Sequence, residues 1–153
     1  MIFLNDAINN GTWFHCEFKR NINLYQFRLK VLSFQKLDVT QVDEPEKIKM
    51  ENGTTIWLME AEMINICKEP LSSSLAIGFL NLVNQNGLSY RMGFESHLSA
   101  LSEFAKKKRL IRFNVQALIP KIKAVGAILF RLPENEDDSV YSLSMRNGSI
   151  REA

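Results

Sequence analysis

The chain has 153 residues, 46% of them apolar and 24% charged, with a formal net charge of +2. That apolar content offsets the entropy of ordering the chain and excludes disorder, and the length removes any need for disulfides or a metal to hold a core. Charge so near balance gives no whole-molecule reason for binding nucleic acid or a membrane surface. The longest apolar run, Ala124 to Phe130, falls far short of the ~20 residues of a membrane helix. Met1-Ile2-Phe3-Leu4-Asn5-Asp6 lacks the basic segment and long apolar core of a secretory signal, so a cytoplasmic location is expected.

Trp13 to Phe18 reads as the first strand, with Asn21-Ile22-Asn23 as its connection to the next. In Tyr25-Gln26-Phe27-Arg28-Leu29-Lys30-Val31 apolar residues recur at every second position. A period of two puts those four on one face of a strand and Gln26, Arg28 and Lys30 on the other. Leu37 to Val42 is a weaker strand, broken by Asp43-Glu44-Pro45 because proline cannot donate to a ladder. Asn52-Gly53 lies between strand-like runs at Lys47 to Met50 and Thr54 to Cys67. The pair predicts a hairpin because both residues tolerate positive φ. Within the second run Trp57, Met59, Ala61 and Met63 share one face, and Glu60 and Glu62 the other.

Pro70 and Ser72-Ser73-Ser74 mark a loop, after which Ala76 to Val83 pairs with Leu88 to Met92 across Asn84-Gln85-Asn86-Gly87. From Glu95 to Lys108 the period changes: Leu98, Leu101, Phe104 and Ala105 recur at three- and four-residue spacing behind Ser96. This predicts one short helix near residues 95–108. Leu118-Ile119-Pro120 enters a turn, Gly126 to Leu132 forms an apolar strand stopped by Pro133, and Glu134 to Asp138 reads as a solvated acidic loop. Val140 to Met145 alternates again before a hairpin-like turn at Arg146-Asn147-Gly148. The sum is a mainly β chain: an antiparallel β-sandwich over residues 1–153 as a single domain, with one helix.

Trp57 to Leu71 (with Lys68-Glu69-Pro70-Leu71 at its end), Leu80 to Tyr90 and the spaced runs Leu118-Ile119-Pro120, Gly126 to Phe130 and Leu132-Pro133 together resemble the immunoglobulin-like domains of bacterial cell-envelope lipoproteins. The likeness spans about residues 54–146. It implies an immunoglobulin-like sandwich in a bacterial protein that serves as a binding or spacer module, and it implies no activity. The chain departs from that family in lacking a signal and a lipobox cysteine.

Chemistry is sparse. Neither phosphate-binding glycine motif occurs, and no Cys-x-x-Cys pair suggests zinc or redox work, so no cofactor and no enzyme activity is expected. His15 and Cys16 are adjacent on a strand and point to opposite faces, which makes a shared metal difficult. His97 lies beside Ser96 and Glu95 at the start of the expected helix, where neighbouring side chains do not face one another. Cys16 and Cys67 read as buried thiols. A disulfide between them is the alternative, closing a loop of about 50 residues and contributing roughly 4 kcal/mol.

The one concentrated surface feature is Lys106, Lys107, Lys108 and Arg109, with Arg112 three residues on. Cations there complement the dipole at a helix end, or form a patch that meets an acidic protein or a phosphate backbone. The leading functional expectation is a non-enzymatic protein-interaction module such as an inhibitor, adaptor or immunity-like protein, with a protein partner. The alternatives are a nucleic-acid binder using this segment, or a small-molecule or sugar-binding sandwich that stacks ligands on Trp13, Trp57 or Tyr90. Open sheet edges also suggest a homodimer.

Overall fold

In the computed structural model, which describes residues 2–36, 53–91, 111–112, 117–136 and 139–153, the chain is mainly β. After a short helix α1 (Leu4–Asn10), β1 (Trp13–Arg20) and β2 (Asn23–Lys36) form a hairpin. Phe14, Cys16 and Phe18 of β1 and Phe27, Leu29 and Val31 of β2 are buried, as their two-residue period demands. Strict alternation would then bring Ser33 inward. A β-bulge between Val31 and Ser33 resets the parity, so Phe34 turns to the core and stacks on Trp57, with ring centroids 5.0 Å apart.

β3 (Thr54–Asn65) lies between β2 and β9 (Lys123–Pro133). Met59, Ala61 and Met63 are buried with Trp57 half-buried, while Glu60 and Glu62 occupy the other face. In β9 the consecutive residues Ala127, Ile128, Leu129 and Phe130 are all buried, as in a central strand covered on both faces. β7 (Ile111–Arg112) runs parallel to β9 and β11 (Gly148–Glu152) antiparallel to β1, giving the six-stranded order β11-β1-β2-β3-β9-β7.

Opposite lies a three-stranded antiparallel sheet in which β5 (Leu80–Val83) is flanked by β6 (Ser89–Arg91) and β10 (Ser142–Met145). β4 (Leu71–Ser72) pairs with β8 (Ala117–Leu118). Phe18, Phe27, Met59, Met63 and Phe130 from the large sheet and Leu80, Leu82, Leu143 and Met145 from the small one form one core, which makes the architecture sandwich-like. Each such side chain contributes about 1.5–3 kcal/mol by leaving water. Tyr25, Phe18 and Phe79 stack in succession at 5.2 and 4.4 Å, and the Arg146 guanidinium lies 4.7 Å from the Phe79 ring centroid.

The hairpin at Asn84–Gly87 forms as expected, with Gly87 at φ 82 and the Asn84 carboxamide oxygen accepting from the amides of Asn86 and Leu88. Two expectations need correction, and one helix had no expectation behind it. Ser72 does not sit in a plain loop: its hydroxyl accepts from the Leu75 amide and caps helix α2 (Ser73–Gly78), so the next strand begins only at Leu80. The turn at Arg146-Asn147-Gly148 makes no hairpin. It carries the chain from β10 in the small sheet to β11 in the large one. Helix α1, too short and asparagine-rich to announce itself, buries Leu4 and Ala7 and ends at Gly11, whose φ of 61 favours glycine. The helix expected near residues 95–108, the strand Leu37 to Val42 and the first arm of the Asn52-Gly53 hairpin lie outside the described residues.

Candidate functional site

One end of the sandwich is organised by a single buried amide. Asn65, at the end of β3, has no exposed surface. Its Nδ2 donates to the carbonyls of Glu69 and Leu118 (both 2.9 Å), its Oδ1 accepts from the Cys67 amide (2.8 Å), and its own carbonyl accepts from Lys121 (2.8 Å). Two loops are thereby held at fixed positions, residues 66–70 and residues 119–122, beside the β1–β2 hairpin. Ile66 donates to the Gln26 carbonyl, and the Cys67 thiol both accepts from the Gln26 amide (3.2 Å) and reaches its carbonyl (3.3 Å), tying the first loop to β2. An asparagine can satisfy all its donors and acceptors this way without carrying charge into the interior.

These loops and the hairpin present apolar side chains to water. Ile22 is 97% exposed at the hairpin tip, and Leu24, Ile119 and Ile122 are between 49% and 62% exposed. Beside them a cavity of about 440 Å³ is lined by Leu24, Tyr25, Cys67, Lys68 and Pro70 among others. Lys19, Arg20, Lys68 and Lys121 surround this end and are exposed, with Glu69 as an exposed acid among them; Lys123 is engaged by Glu62 at 3.6 Å. An apolar surface with a cationic border can hold a complementary surface.

The opposite end is built around a carboxylate. Glu136 lies in a 3-10 turn (Glu134–Glu136) and is buried, which corrects its reading as part of a solvated acidic loop. Asn84 Nδ2 (2.9 Å) and the Tyr90 hydroxyl (2.7 Å) donate to Oε1; the Tyr141 hydroxyl (3.2 Å) and the Ser139 hydroxyl donate to Oε2. Burial pushes its pKa up, but the hydrogen bonds from Ser139, Tyr90, Asn84 and Tyr141 outweigh it and hold the carboxyl below the usual glutamate range. Burial, with the Glu136 hydrogen bond second, pushes the Tyr90 hydroxyl up to about 12. Both carboxylate oxygens are thus engaged by donors, and the cluster fastens the β5–β6 turn to the segment before β10. Phe3, Leu88 and Val140 are exposed at this end, but the cavity beside Phe34, Trp57 and Tyr141 is only about 90 Å³.

The residues singled out from sequence are scattered. Lys106, Lys107, Lys108 and Arg109 lie outside the described residues; the backbone of Arg112 belongs to β7. Trp57 faces the core against Phe34 and donates from Nε1 to Thr55, Tyr90 bonds Glu136, and Trp13 lies on the other face of the large sheet with Lys30 Nζ 5.8 Å from its ring centroid. They form no common stacking platform. His15 Nε2 is 3.9 Å from Glu17 Oε2, on the face away from buried Cys16. Among the described residues no group of three acidic, histidine or cysteine side chains could hold a metal. Likewise no described helix is long and apolar enough to cross a membrane. Both cysteines are free thiols, Cys16 buried and Cys67 partly so. Ile22, Ile119 and Ile122 escaped notice in the sequence, although isoleucine inside Asn21-Ile22-Asn23 and on both sides of Pro120-Lys121 is unusual for turns that otherwise favour polar residues.

The chain matches no protein family and no curated protein. It is similar to the solved structure of a conserved hypothetical protein from Bacillus anthracis, at 17% identity over 92% of this chain and 96% of that one, with a TM-score of 0.52. It is also similar to the yjhA protein from Bacillus subtilis, at 19% identity over 79% of this chain and 74% of that one, with a TM-score of 0.46. At such identity the first likeness shows a shared fold across nearly the whole chain and nothing about activity.

Proposed function

We propose that this chain is a non-enzymatic protein-interaction module that docks through the end organised by Asn65. The observation that supports this reading most is Ile22: a fully apolar side chain, 97% exposed, on a hairpin tip whose neighbours Leu24, Ile119 and Ile122 are also in water. Leaving such side chains exposed forgoes about 1.5–3 kcal/mol apiece, which a partner surface would recover. The border of Lys19, Arg20, Lys68 and Lys121 suits a protein whose apolar patch is edged by acids, with the charges steering encounter and the isoleucines supplying contact. The resemblance of residues 54–146 to immunoglobulin-like envelope domains, which act as binding or spacer units, fits the same role. The proposed setting is the cytoplasm, where a reducing environment keeps both cysteines as thiols.

The test is retention from native lysate on immobilised protein, comparing the wild type with Ile22→Glu, Ile122→Glu and, at the far end, Leu88→Glu. A partner held by the wild type and Leu88→Glu but lost by both isoleucine variants supports the proposal. The same proteins recovered with all four baits would reject it.

A further inference from the structure

Among the described residues β11 forms an open edge of the large sheet, and its hydrogen-bonding pattern can be read from the ladder. Ala153 donates to the Trp13 carbonyl and Lys19 to that of Asn147, so Arg151 and Ser149 exchange bonds with His15 and Glu17 of β1. Backbone groups alternate in direction along an antiparallel strand. The N–H and C=O groups of Ile150 and Glu152 therefore point away from β1 and meet no partner among the described residues. The neighbouring edge at β10 is treated differently: Phe3 bridges to Ser142, and Leu4 donates to the Tyr141 carbonyl. β11 has no proline and no such cover among the described residues, and an uncovered edge of this sort is a template for another strand.

We infer that the occupant is a second copy of this chain, its β11 added antiparallel to the first about a two-fold axis with Ile150 facing Ile150. The register admits a copy of the strand, and two further features favour that copy over an unrelated peptide. In this register Ile150 faces Ile150, so its outward N–H and C=O groups meet the same groups of the second copy. On the outer face, Arg151 of the second copy falls opposite Ser149, whose hydroxyl already donates to Glu17 (3.1 Å). Strands lie about 4.8 Å apart, so the long guanidinium reaches that carboxylate across two rows, and the axis creates the pair twice. On the inner face a cavity of about 270 Å³ lined by Ile2, Phe14, Leu143 and Ile150 lies beside the same edge, where the second copy covers its mouth. The dimer continues the large sheet across the axis, on a strand separate from the apolar loop end.

Sedimentation over a micromolar-to-millimolar dilution series, with hydrogen exchange at both extremes, tests this. The expected result is a concentration-dependent dimer in which the Ile150 and Glu152 amides slow at least tenfold as it forms. Ile150→Pro removes an outward donor without touching the β1 ladder and should abolish the dimer with an unchanged circular dichroism spectrum. Arg151→Glu should weaken it at least tenfold, and Glu17→Arg combined with Arg151→Glu should restore it. A monomer at every concentration overturns the inference, as does a dimer whose Ile150 amide exchanges freely or one that persists in a folded Ile150→Pro variant. Should Ile150→Pro fail to fold, the exchange rates of the wild-type amides decide.

Discussion

Replacing Asn65 isolates the feature that fixes the loop end. Asn65→Leu keeps the approximate volume but removes two donated bonds, to Glu69 and Leu118, and one accepted from Cys67. Each buried backbone group left without a partner costs about 1–3 kcal/mol. The Leu118 carbonyl lies in a fully buried contact, whereas those at Glu69 and Cys67 are partly reachable by water, so the expected loss is about 3–5 kcal/mol in total. For a chain of this length that corresponds to a fall in Tm of roughly 6–20 °C. Asn65→Asp should be no milder, because it retains the acceptor for Cys67 while setting a carboxylate against two carbonyls. Calorimetry and urea denaturation give the magnitude. Exchange rates at Cys67 and Lys121 give the location, and both amides should open ahead of the core. A Tm within 2 °C of wild type, or unfolding with no early exchange at these loops, would refute the claim that Asn65 holds them.

Other consequences follow from the remaining contacts. Glu136→Leu strands the donors of Asn84, Tyr90, Ser139 and Tyr141 and should cost about 2–4 kcal/mol, measured by urea denaturation. Because the folded Glu136 carboxyl titrates below its unfolded value of about 4.3, its stabilisation is complete above that pH and is lost as pH falls through the folded value. An acid titration of Tm should be shallower in the variant. Tyr90 behaves oppositely: its folded pKa of about 12 exceeds the unfolded value of about 10, so its contribution is intact below pH ~10 and vanishes as pH rises through the folded value, which spectrophotometric titration at the tyrosine band will show. Gly148→Ala would place a Cβ 1.8 Å from the Glu17 carbonyl oxygen, so β11 must shift or detach. We expect about 1–3 kcal/mol lost and faster exchange at Arg151. In native protein, thiol reagents should label Cys67 well ahead of Cys16, whose thiol burial pushes far up; equal rates would contradict the placement of both.

The strands were legible because their chemistry is local. A two-residue period commits Phe27, Leu29 and Val31 to one face whatever lies opposite, and Gly87 is what the tight turn requires. The order of those strands depends on contacts far apart in the chain, so the crossing at Arg146-Asn147 between sheets resembles a hairpin until its partners are known. Helix α2 was hidden by three serines that suggest a loop and in fact supply an N-cap. The Glu136 cluster was illegible for a related reason: in Glu134 to Asp138 the composition points to water, and only the arrival of Asn84 and Tyr90 from the other side makes one of those acids an interior group. Exposure of Ile22 has no local signature beyond an apolar residue in a turn, since nothing in a sequence states what is missing around it. Lys106 to Arg109, the sequence's own candidate surface, lie outside the described residues.

Docking through the loop end is tested most directly by a photoreactive benzoylphenylalanine in place of Ile22, irradiated in cells that express the full chain, with the same group replacing exposed Arg28 as reference. One defined heterologous adduct from position 22, absent from position 28 and suppressed by Ile122→Glu, is the predicted outcome. No adduct from position 22, or the same species from both positions, would contradict it.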